Sequence, residues 1–455
     1  MIIRMMMNIC FILCYFSLFL LLMHFTRRRL AGRLIAKVCE VTVRAETEKS
    51  TRRRKFDKPT VLMVSTYPPD TDGIASYTAR LKNALQKQNI LIRIASNGSD
   101  WKRNSPFYIY NIMQKAIKSK ADIVHVQLSY FTFGNEYYTG FFPLLVISLK
   151  LWGKKVVVTL HDVVPKSNLT RDFLERYTSP RFFMFKRLAF IGWTNITCSI
   201  ADRVIVHSNV AKNVLIRDYG IPRRKIQVIP HGIDQASSSL IKNRLKTNSL
   251  KDKNDPIVSY FGLVRHGKGL EDLIKSWQII SKRVNAQLWI IGGKHPHLQD
   301  NCYEECLNLV KKLGLESSVR FFGYVPTEEL PVYFTMTDVF VFPYKEWGDV
   351  IASSGALSVV APYLKPIIAT DVPAFADLKS KRAALIVKRG DINGLISAII
   401  KVLTDAQVSD SLIDNLSKWL LELSWSNVAK KTAALYRRLL LNKGNRNFGY
   451  TSRNA

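Results

Sequence analysis

The sequence predicts an α/β protein with two parallel β-sheets in succession and a transmembrane helix ahead of them. Short continuous runs of Val and Ile recur at intervals of about 20 to 40 residues, as expected for strands covered on both faces. Helical patterns separate these runs, which implies right-handed strand–helix–strand crossovers and parallel pairing. The series is interrupted once near the middle of the chain, so we expect two domains rather than one large sheet.

An apolar segment, Met5–Phe25, comes first. As a helix it would be roughly 31 Å long, enough to cross the hydrocarbon core of a bilayer. A cleaved signal peptide is the alternative, but Arg27–Arg29 stand where small residues would precede cleavage. We therefore expect a single-pass membrane anchor over residues 1–29. Because basic residues cluster after this segment, the positive-inside rule places the chain after Arg27 on the cytoplasmic side.

Basic residues are concentrated at both ends of the chain, whose formal net charge is +32. The first 58 residues carry 13 Lys/Arg and four Asp/Glu, and the chain after Glu422 carries seven Lys/Arg and no acidic residue. Residues 30–58 are therefore predicted to form a basic tether attracted to an anionic membrane surface, and residues 443–455 a basic tail. No nucleic-acid partner is expected, because no recognised RNA- or DNA-binding motif accompanies this charge.

The first sheet is predicted within residues 59–234. Tyr138–Gly153 is apolar, but it is short and leads directly into a strand, so we expect a covered crossover helix rather than a second membrane span. Ser179–Trp193 mixes basic and aromatic residues at helical spacing, which fits a helix on a membrane surface and an ordinary packed helix about equally. The predicted strands are TVLMVS, ILIRIAS, ADIVHVQ, KKVVVTLHD, ADRVIVHS and KIQVIPHG.

Residues 235–255 do not continue the alternation of predicted strands and helices. They are rich in Ser, Lys and Asn, which is typical of a linker. A second sheet is predicted within residues 256–424, and residues 425–442 are expected to form a C-terminal helix that packs back on the first domain. Two Rossmann-like domains facing each other across a cleft are the simplest arrangement. The strands of the second sheet are PIVSYFG, AQLWIIGG, VRFFGYV, DVFVFPY, KPIIATD and AALIVKRG.

The six cysteines are scattered along the chain, and their count suits a reducing compartment. Cys302 and Cys306 are four residues apart, on one face of a predicted helix, and are expected to be buried thiols. No CxxC pair is present. We therefore expect no cofactor and no required metal.

Ligands of open parallel sheets gather at the carboxyl ends of the strands. After the first strand, Gly73 stands at the start of a helix and lets the backbone approach a ligand, although a turn glycine alone is weak support. After the first strand of the second domain, Arg265 and Lys268 lie among glycines just before a helix. Two cations there can offset the charge of a diphosphate, and a merely basic turn is the alternative.

A third strand end lies between DVFVFPY and KPIIATD. A helix starting at Ser353–Gly355 would offer hydroxyls and unpaired N–H groups to an anion, and Gly355 has no side chain to obstruct it. Simple capping by Ser353 or Ser354 is the alternative. In the loop before it, Glu346 and Asp349 are candidates to accept hydrogen bonds from sugar or ribose hydroxyls.

In combination these motifs resemble retaining glycosyltransferases of the GT-B fold, in family 4 of the nucleotide-sugar-dependent enzymes. STYPPDTDGIASYTARL, VVVTLHD, VIPHGID and YFGLVRHGKGLEDLI carry the resemblance in order. It implies that Gly73 lies near the donor phosphates and the acceptor, and that His161 is close to the transferred sugar. It also implies that Arg265 and Lys268 hold the donor diphosphate, with Arg265 replacing an arginine that many members have at the place of Leu263.

The two glutamates that the resemblance implies, with seven residues between them, fall at Ile351 and Val359 and are absent. The chain instead resembles a subgroup with a Ser-Gly helix start, here Ser354 and Gly355. In this subgroup pattern Glu346 and Asp349 are the alternative candidates to replace one carboxylate from the loop. A catalytically degenerate binding protein is therefore an alternative to an active enzyme.

The sequence thus predicts a retaining hexosyltransferase with a nucleoside-diphosphate sugar as donor. A diphosphate is already a good leaving group, so cations and helix N-termini that stabilise its developing charge matter more than an acid that protonates it. The anchor, the tether and the aromatic-basic segment favour a lipid-linked or other membrane-associated glycan as acceptor. A soluble acceptor is the alternative.

Overall fold

The computed structural model describes most of the chain between residues 58 and 441. The predicted anchor, nearly all of the tether and linker, and the basic tail lie outside the described residues. In the part of the chain described, no helix has both the length and the apolar character needed to cross a bilayer. The described ranges are 58–70, 72–105, 107–130, 132–177, 182–234, 255–294, 301–345, 350–351 and 354–441.

The first sheet has six parallel strands in the order β2-β1-β3-β4-β5-β6. All six runs of Val and Ile predicted in the first half of the chain form its strands. They alternate with helices that cover both faces, which is why every residue of the third strand is buried. The strands are β1 Thr60–Ser65, β2 Leu91–Ser96, β3 Ile123–Leu128, β4 Lys155–Leu160, β5 Arg203–Val206 and β6 Ile226–Val228. The helices are α1 Gly73–Gln86, α2 Tyr108–Lys118, α3 Glu136–Gly140, α4 Phe142–Leu151, α5 Arg171–Tyr177, α6 Phe183–Ile200 and α7 Asn209–Arg217.

The crossover before β4 differs from the prediction, because the expected single helix is two helices, α3 and α4. Pro143 explains the break. Its ring lacks an N–H group and would clash with the carbonyl group four residues earlier, so a helix cannot continue through it. Proline is tolerated in the first turn of a helix, which is where Pro143 lies in α4.

The second sheet also has six parallel strands, in the order β12-β11-β10-β7-β8-β9. The strand order reverses between the neighbours β7 and β10, which makes their carboxyl ends the point where a doubly wound sheet opens a ligand crevice. The strands are β7 Ile257–Phe261, β8 Gln287–Ile291, β9 Val319–Gly323, β10 Val339–Phe342, β11 Ile367–Thr370 and β12 Leu385–Val387. The helices are α8 Leu270–Arg283, α9 Cys302–Lys312, α10 Leu330–Met336, α11 Gly355–Val360, α12 Ala376–Ser380, α13 Ile392–Thr404 and α14 Ala406–Leu423.

The last helix, α15 Trp425–Leu441, follows the second domain in sequence but packs on the first. Val428, Ala433 and Tyr436 are fully buried in one apolar cluster with Leu81 and Leu85 of α1. The chain therefore crosses the cleft twice, once between the domains and once before α15.

A short backbone bridge also joins the domains. The Val163 N–H donates to the Ile351 carbonyl at 3.1 Å, and the Ile351 N–H donates to the Val163 carbonyl at 2.7 Å. Ile351 is only 8% exposed and belongs to the apolar cluster of the first domain. The bridge lies two residues after His161, at the mouth of the first sheet.

Candidate active site

The loop after β7 is pressed against the end of β10. Gly269 has φ of +71°, and a Cβ atom built on it would lie 1.9 Å from the carbonyl oxygen of Pro343. The Lys345 N–H donates to the Gly267 carbonyl at 3.0 Å. This close approach requires glycine, and it fixes the position of Arg265 and Lys268 at the switch point of the second sheet.

Tyr344 is the residue on which the predicted donor site converges. The ammonium of Lys268 lies 3.7 Å from the centroid of the Tyr344 ring, and the Tyr344 hydroxyl is hydrogen-bonded to Ser354. Burial and the neighbouring charge of Arg265 lower the pKa of Lys268 to about 7. A bound anion would favour the charged ammonium. Sequence reasoning missed Tyr344, since an aromatic residue after a strand carries no signal for this role.

Ser354 caps the N-terminus of α11. The Ser354 hydroxyl accepts a hydrogen bond from the Leu357 N–H at 3.3 Å, so the capping alternative is realised. Gly355 is exposed, and no described atom lies within 4 Å of where its Cβ would be. The Cβ position of Gly262 is 3.6 Å from Ala356, so the loop after β7 and the start of α11 are neighbours. Because α11 has only six residues, we do not assign the main positive charge to its N-terminus. We assign it to Arg265 and Lys268, at the carboxyl ends of β7 and β10.

Glu346 and Ser353 lie outside the described residues, as does Asp349. The two positions at which the resemblance places glutamates are separated in the structure. Ile351 is buried in the bridge between the domains, and Val359 is 40% exposed on α11.

Gly73 begins α1 at the mouth of the first sheet. The Asp72 carboxylate caps this helix by accepting from the Ala75 N–H at 2.8 Å, and it also accepts from the Thr66 hydroxyl at 2.8 Å. No described atom lies within 4 Å of the Cβ position of Gly73, so the backbone there is open to a ligand.

His161 follows β4 and belongs to a buried histidine network. Its Nδ1 lies 3.3 Å from Nε2 of His207, and its Nε2 lies 3.0 Å from the atom placed as Oε1 in the Gln127 amide, whose oxygen and nitrogen can exchange places. The Nδ1–H of His207 donates to the Ile229 carbonyl at 3.0 Å, so in the neutral ring Nε2 of His207 accepts from His161. Nε2 of His161 then needs a donor, and we assign the amide NH₂ of Gln127 to that side.

The network continues to the C-terminal helix. The side-chain amide of Gln127 lies 3.4 Å from Nε2 of His125, and Nδ1 of His125 is hydrogen-bonded to the Tyr436 hydroxyl. Burial lowers the pKa of His125 and of His207 to about 3. Burial, assisted by His207, holds the pKa of His161 well below its usual value. The rings are therefore neutral at physiological pH, and His161 is held in one orientation by groups of the first domain and of α15.

A cavity lies between the domains at this place. His161, His207 and His231 line it from the first domain, and Ser354 and Leu357 line it from the second. Ser354 joins this cavity to Tyr344 and Lys268. The side chains of His207 and His231 are largely buried and hydrogen-bonded to backbone carbonyls, and His207 also positions His161.

Asp377 is a carboxylate at this cavity that sequence analysis did not single out. It lies at the start of α12, and burial raises its pKa. The chain segment of Asp377 follows β11, so only the sheet order, which places β11 next to β10, brings it to the same mouth.

Two family profiles match the chain, one described as "Glycosyltransferase Family 4" over residues 28–237 and one as "Glycosyl transferases group 1" over residues 241–419. The chain belongs to the group 1 glycosyltransferases of the GT-B family. This confirms the predicted family and the two parallel-sheet domains. The membrane anchor and the Ser-Gly variant of the glutamate motif stay predictions.

Curated relatives of this glycosyltransferase match only in part. It is 32% identical over 160 residues to mannosylfructose-phosphate synthase of Agrobacterium fabrum, covering 32% of this chain and 34% of the relative. It is 28% identical over 240 residues to the capsular polysaccharide biosynthesis glycosyltransferase CapM of Staphylococcus aureus, covering 51% and 60%. The matches thus span between about a third and 60% of these relatives.

Solved structures share the fold over most of the glycosyltransferase. Sucrose-phosphate synthase from Thermosynechococcus elongatus superposes with a TM-score of 0.64 at 19% identity, over 85% of this chain and all of the other. Anabaena HepE in complex with UDP gives 0.60 at 16% identity, over 84% of this chain and all of the other. At these identities the likeness shows the fold alone.

Proposed function

We propose that this glycosyltransferase moves a hexose from a nucleoside-diphosphate sugar to a lipid-linked or other membrane-associated glycan, with retention of the anomeric configuration. The observation that carries the donor assignment is the convergence of Arg265, Lys268 and Ser354 around Tyr344 at the switch point of the second sheet. A diphosphate seated there would meet two cations and exposed backbone at Gly355.

The reaction follows from this charge distribution. When the bond between the sugar and the diphosphate breaks, the electron pair stays on the diphosphate oxygen. The acceptor hydroxyl oxygen forms the new bond to the anomeric carbon, and its proton passes to the departing diphosphate. Arg265 and Lys268 stabilise the charge that develops there, and they are already in place before the bond breaks. Since these side chains supply positive charge, the proposed transfer needs no metal of its own.

His161 is proposed to position the transferred sugar as a neutral ring. Its fixed orientation at the cavity favours this role, because a rigid wall lowers the entropic cost of holding a sugar in the reactive geometry. Asp377 is a carboxylate within the same cavity that a sugar hydroxyl can reach from the second domain.

Surface chemistry supports a membrane-associated acceptor. At the start of α6, Phe182 is 77% exposed, Met184 58% and Leu188 52%, with Lys186 and Arg187 among them. An exposed apolar and basic surface fits the interface of an anionic bilayer. From Gly192 onward α6 contains buried residues, including Trp193, Thr197 and Cys198, so this part packs as an ordinary helix, and the membrane surface is proposed for its first turns only. We propose that the catalytic domains lie on the cytoplasmic side of a membrane, held by residues 1–29.

The name of one relative also supports a lipid acceptor. The chain is 22% identical over 224 residues to a GDP-mannose-dependent phosphatidylinositol monomannoside mannosyltransferase of Mycobacterium tuberculosis. That enzyme acts on a lipid by its name. For this chain the lipid acceptor is a proposal.

A panel of UDP-, GDP- and ADP-sugars tests the donor assignment. Purified full-length protein should be stabilised against thermal unfolding by one class of nucleotide sugar, and it should transfer the sugar to membrane extracts. Deleting Met1–Arg29 should reduce transfer to membrane acceptors and leave donor stabilisation unchanged. Transfer to soluble glycans that survives this deletion undiminished would contradict the membrane acceptor.

A binding protein without turnover is the second candidate, favoured by the apolar residues Ile351 and Val359 at the two glutamate positions. Donor stabilisation without any release of nucleoside diphosphate, in the presence of membrane extracts, would support it over the enzyme.

A further inference from the structure

A cluster of metal-binding side chains lies beside the loop of Arg265 and Lys268. His266 of that loop, Glu271 of α8 and Cys302 of α9 each place one ligand atom within 4.8 Å of the others. The Cys302 sulfur is 3.5 Å from one carboxylate oxygen of Glu271. Imidazole, carboxylate and thiol groups on three separate elements are the ligand types that zinc takes in proteins.

A second thiol extends the cluster. The sulfur atoms of Cys302 and Cys306 are 3.9 Å apart, one helical turn from each other, and both residues are fully buried. Two thiolates on a tetrahedral zinc ion, each bound at about 2.3 Å, lie roughly 3.8 Å apart. The thiol pair thus already has the separation that such an ion imposes.

Glu271 supplies an independent observation. Its second carboxylate oxygen is buried and has no hydrogen-bond partner among the described residues. An unsatisfied buried oxygen costs on the order of 1–3 kcal/mol, more for a charged group. A cation at the cluster would remove that cost.

His266 is oriented by a carboxylate, as metal-binding histidines commonly are. Its Nε2 lies 2.9 Å from a carboxylate oxygen of Glu305, and a carboxylate on one ring nitrogen orients the other nitrogen toward a metal. The His266 side chain is 55% exposed, so an ion can enter from the solvent side although both thiols are buried.

We propose that this cluster is a binding site for a thiophilic divalent metal, zinc by its ligand chemistry, held by His266, Glu271, Cys302 and Cys306. Binding releases the two thiol protons to solvent, and the dithiolate, the carboxylate and the imidazole bind the ion. The ion takes no part in sugar transfer. The ligand atoms of His266, Glu271 and Cys302 lie within 4.8 Å of one another, and side-chain rotations that move them by about 1 Å give the separation of roughly 3.3–3.8 Å in a tetrahedral zinc site. Cys306 is placed by its sulfur, 3.9 Å from that of Cys302, and would complete the set as the fourth ligand.

The site has a consequence for the neighbouring loop, and this part rests on the proposed function. His266 stands between Arg265 and Lys268, so a metal would fasten the donor loop to the start of α9. We expect the filled site to raise donor affinity by holding both cations in place before the donor arrives.

Cobalt binding tests the site without any donor. We would use full-length protein in which Cys10, Cys14 and Cys39 are serine, and titrate it with Co²⁺ while recording thiolate-to-cobalt charge transfer and visible d–d absorption. The expected result is saturable tetrahedral Co²⁺ binding that Zn²⁺ displaces. Cys302→Ser should weaken it at least 100-fold, whereas Cys198→Ser, which alters a buried cysteine of the other domain, should not change it.

If the Cys302→Ser protein fails to fold, substitutions at exposed positions still test the proposal. His266→Gln should weaken Co²⁺ binding by about 10- to 100-fold, and Glu305→Gln by roughly 10-fold, because the latter only removes the orienting carboxylate. Absence of thiolate-to-cobalt absorption in the folded parent protein would overturn the proposal, as would absorption that is unchanged in Cys302→Ser and His266→Gln. Donor affinity is measured separately with and without Zn²⁺, so a failed donor assignment does not affect this result.

Discussion

The ammonium of Lys268 lies 3.7 Å from the centroid of the Tyr344 ring. This contact joins the loop after β7 to the loop after β10, and it places a cation at the switch point of the second sheet. Because Tyr344 also binds Ser354, one buried ring organises both sides of the proposed diphosphate site.

Lys268→Ala should lower turnover by about 100- to 1000-fold, because it removes a positive charge that stabilises the departing diphosphate. The measurement is sugar transfer by the folded variant, compared with Lys282→Ala in the last turn of α8, which should behave like the parent. Near-normal transfer by folded Lys268→Ala would refute the assignment.

Tyr344→Leu should weaken donor binding by roughly 3- to 30-fold, as expected from the loss of a partly buried cation–π contact and of a hydrogen bond. Tyr344→Phe keeps the ring and should lose less. Calorimetric titration with the stabilising nucleotide sugar measures both, and Tyr110→Leu on the exposed face of α2 is the control. Equal affinity in Tyr344→Leu and the parent would show that the ring does not organise the site.

Acid should destabilise the first domain before its carboxylates titrate. The folded-state pKa of His125 and of His207 is about 3, against 6.5 for an ordinary histidine. The unfolded chain therefore binds more protons between these values, so stability is complete above pH 6.5 and is lost as the pH falls toward 3.

Between pH 6.5 and 5 the free energy of unfolding should fall by on the order of 2 kcal/mol for each such histidine. Urea unfolding followed by circular dichroism at a series of pH values measures it. His125→Gln should flatten this dependence. A pH-independent free energy of unfolding over this interval would contradict neutral buried rings.

Gly269→Ala should destabilise the protein by about 1–3 kcal/mol, since its Cβ would collide with the Pro343 carbonyl in a left-handed backbone conformation. Gly314→Ala is the matched control. Its φ of +64° is similar, but no described atom lies within 4 Å of the added Cβ, so only the conformational cost of about 1 kcal/mol is expected. Equal losses of stability in the two variants would mean that the collision is relieved.

The strands and the position of the loop that carries Arg265 and Lys268 were predictable from local signals. Short runs rich in β-branched, leucine and aromatic residues mark all twelve strands, and strand ends meet at one edge of a parallel sheet, so the two cations could be located at that edge from the sequence. The break between α3 and α4 also has a local signal, Pro143, which lies within a continuous apolar run.

Contacts that join distant parts of the chain carry no such signal. Tyr436 reaches His125 from 311 residues away, and it does so only because α15 packs on the first domain. Cys302 meets Glu271 and His266 through the packing of α9 against α8 and the loop before it. These meetings depend on the tertiary fold, which spacing in the sequence does not encode.

The bridge between Val163 and Ile351 lies at the first of the two positions where the resemblance places a glutamate. At the first position where the resemblance places a carboxylate, this chain has an apolar side chain sealed into the opposite domain and two main-chain hydrogen bonds beneath it. A charge there would be stripped of water, so Ile351→Glu would weaken the contact between the two domains. The side chain at this position therefore contributes to packing between the domains.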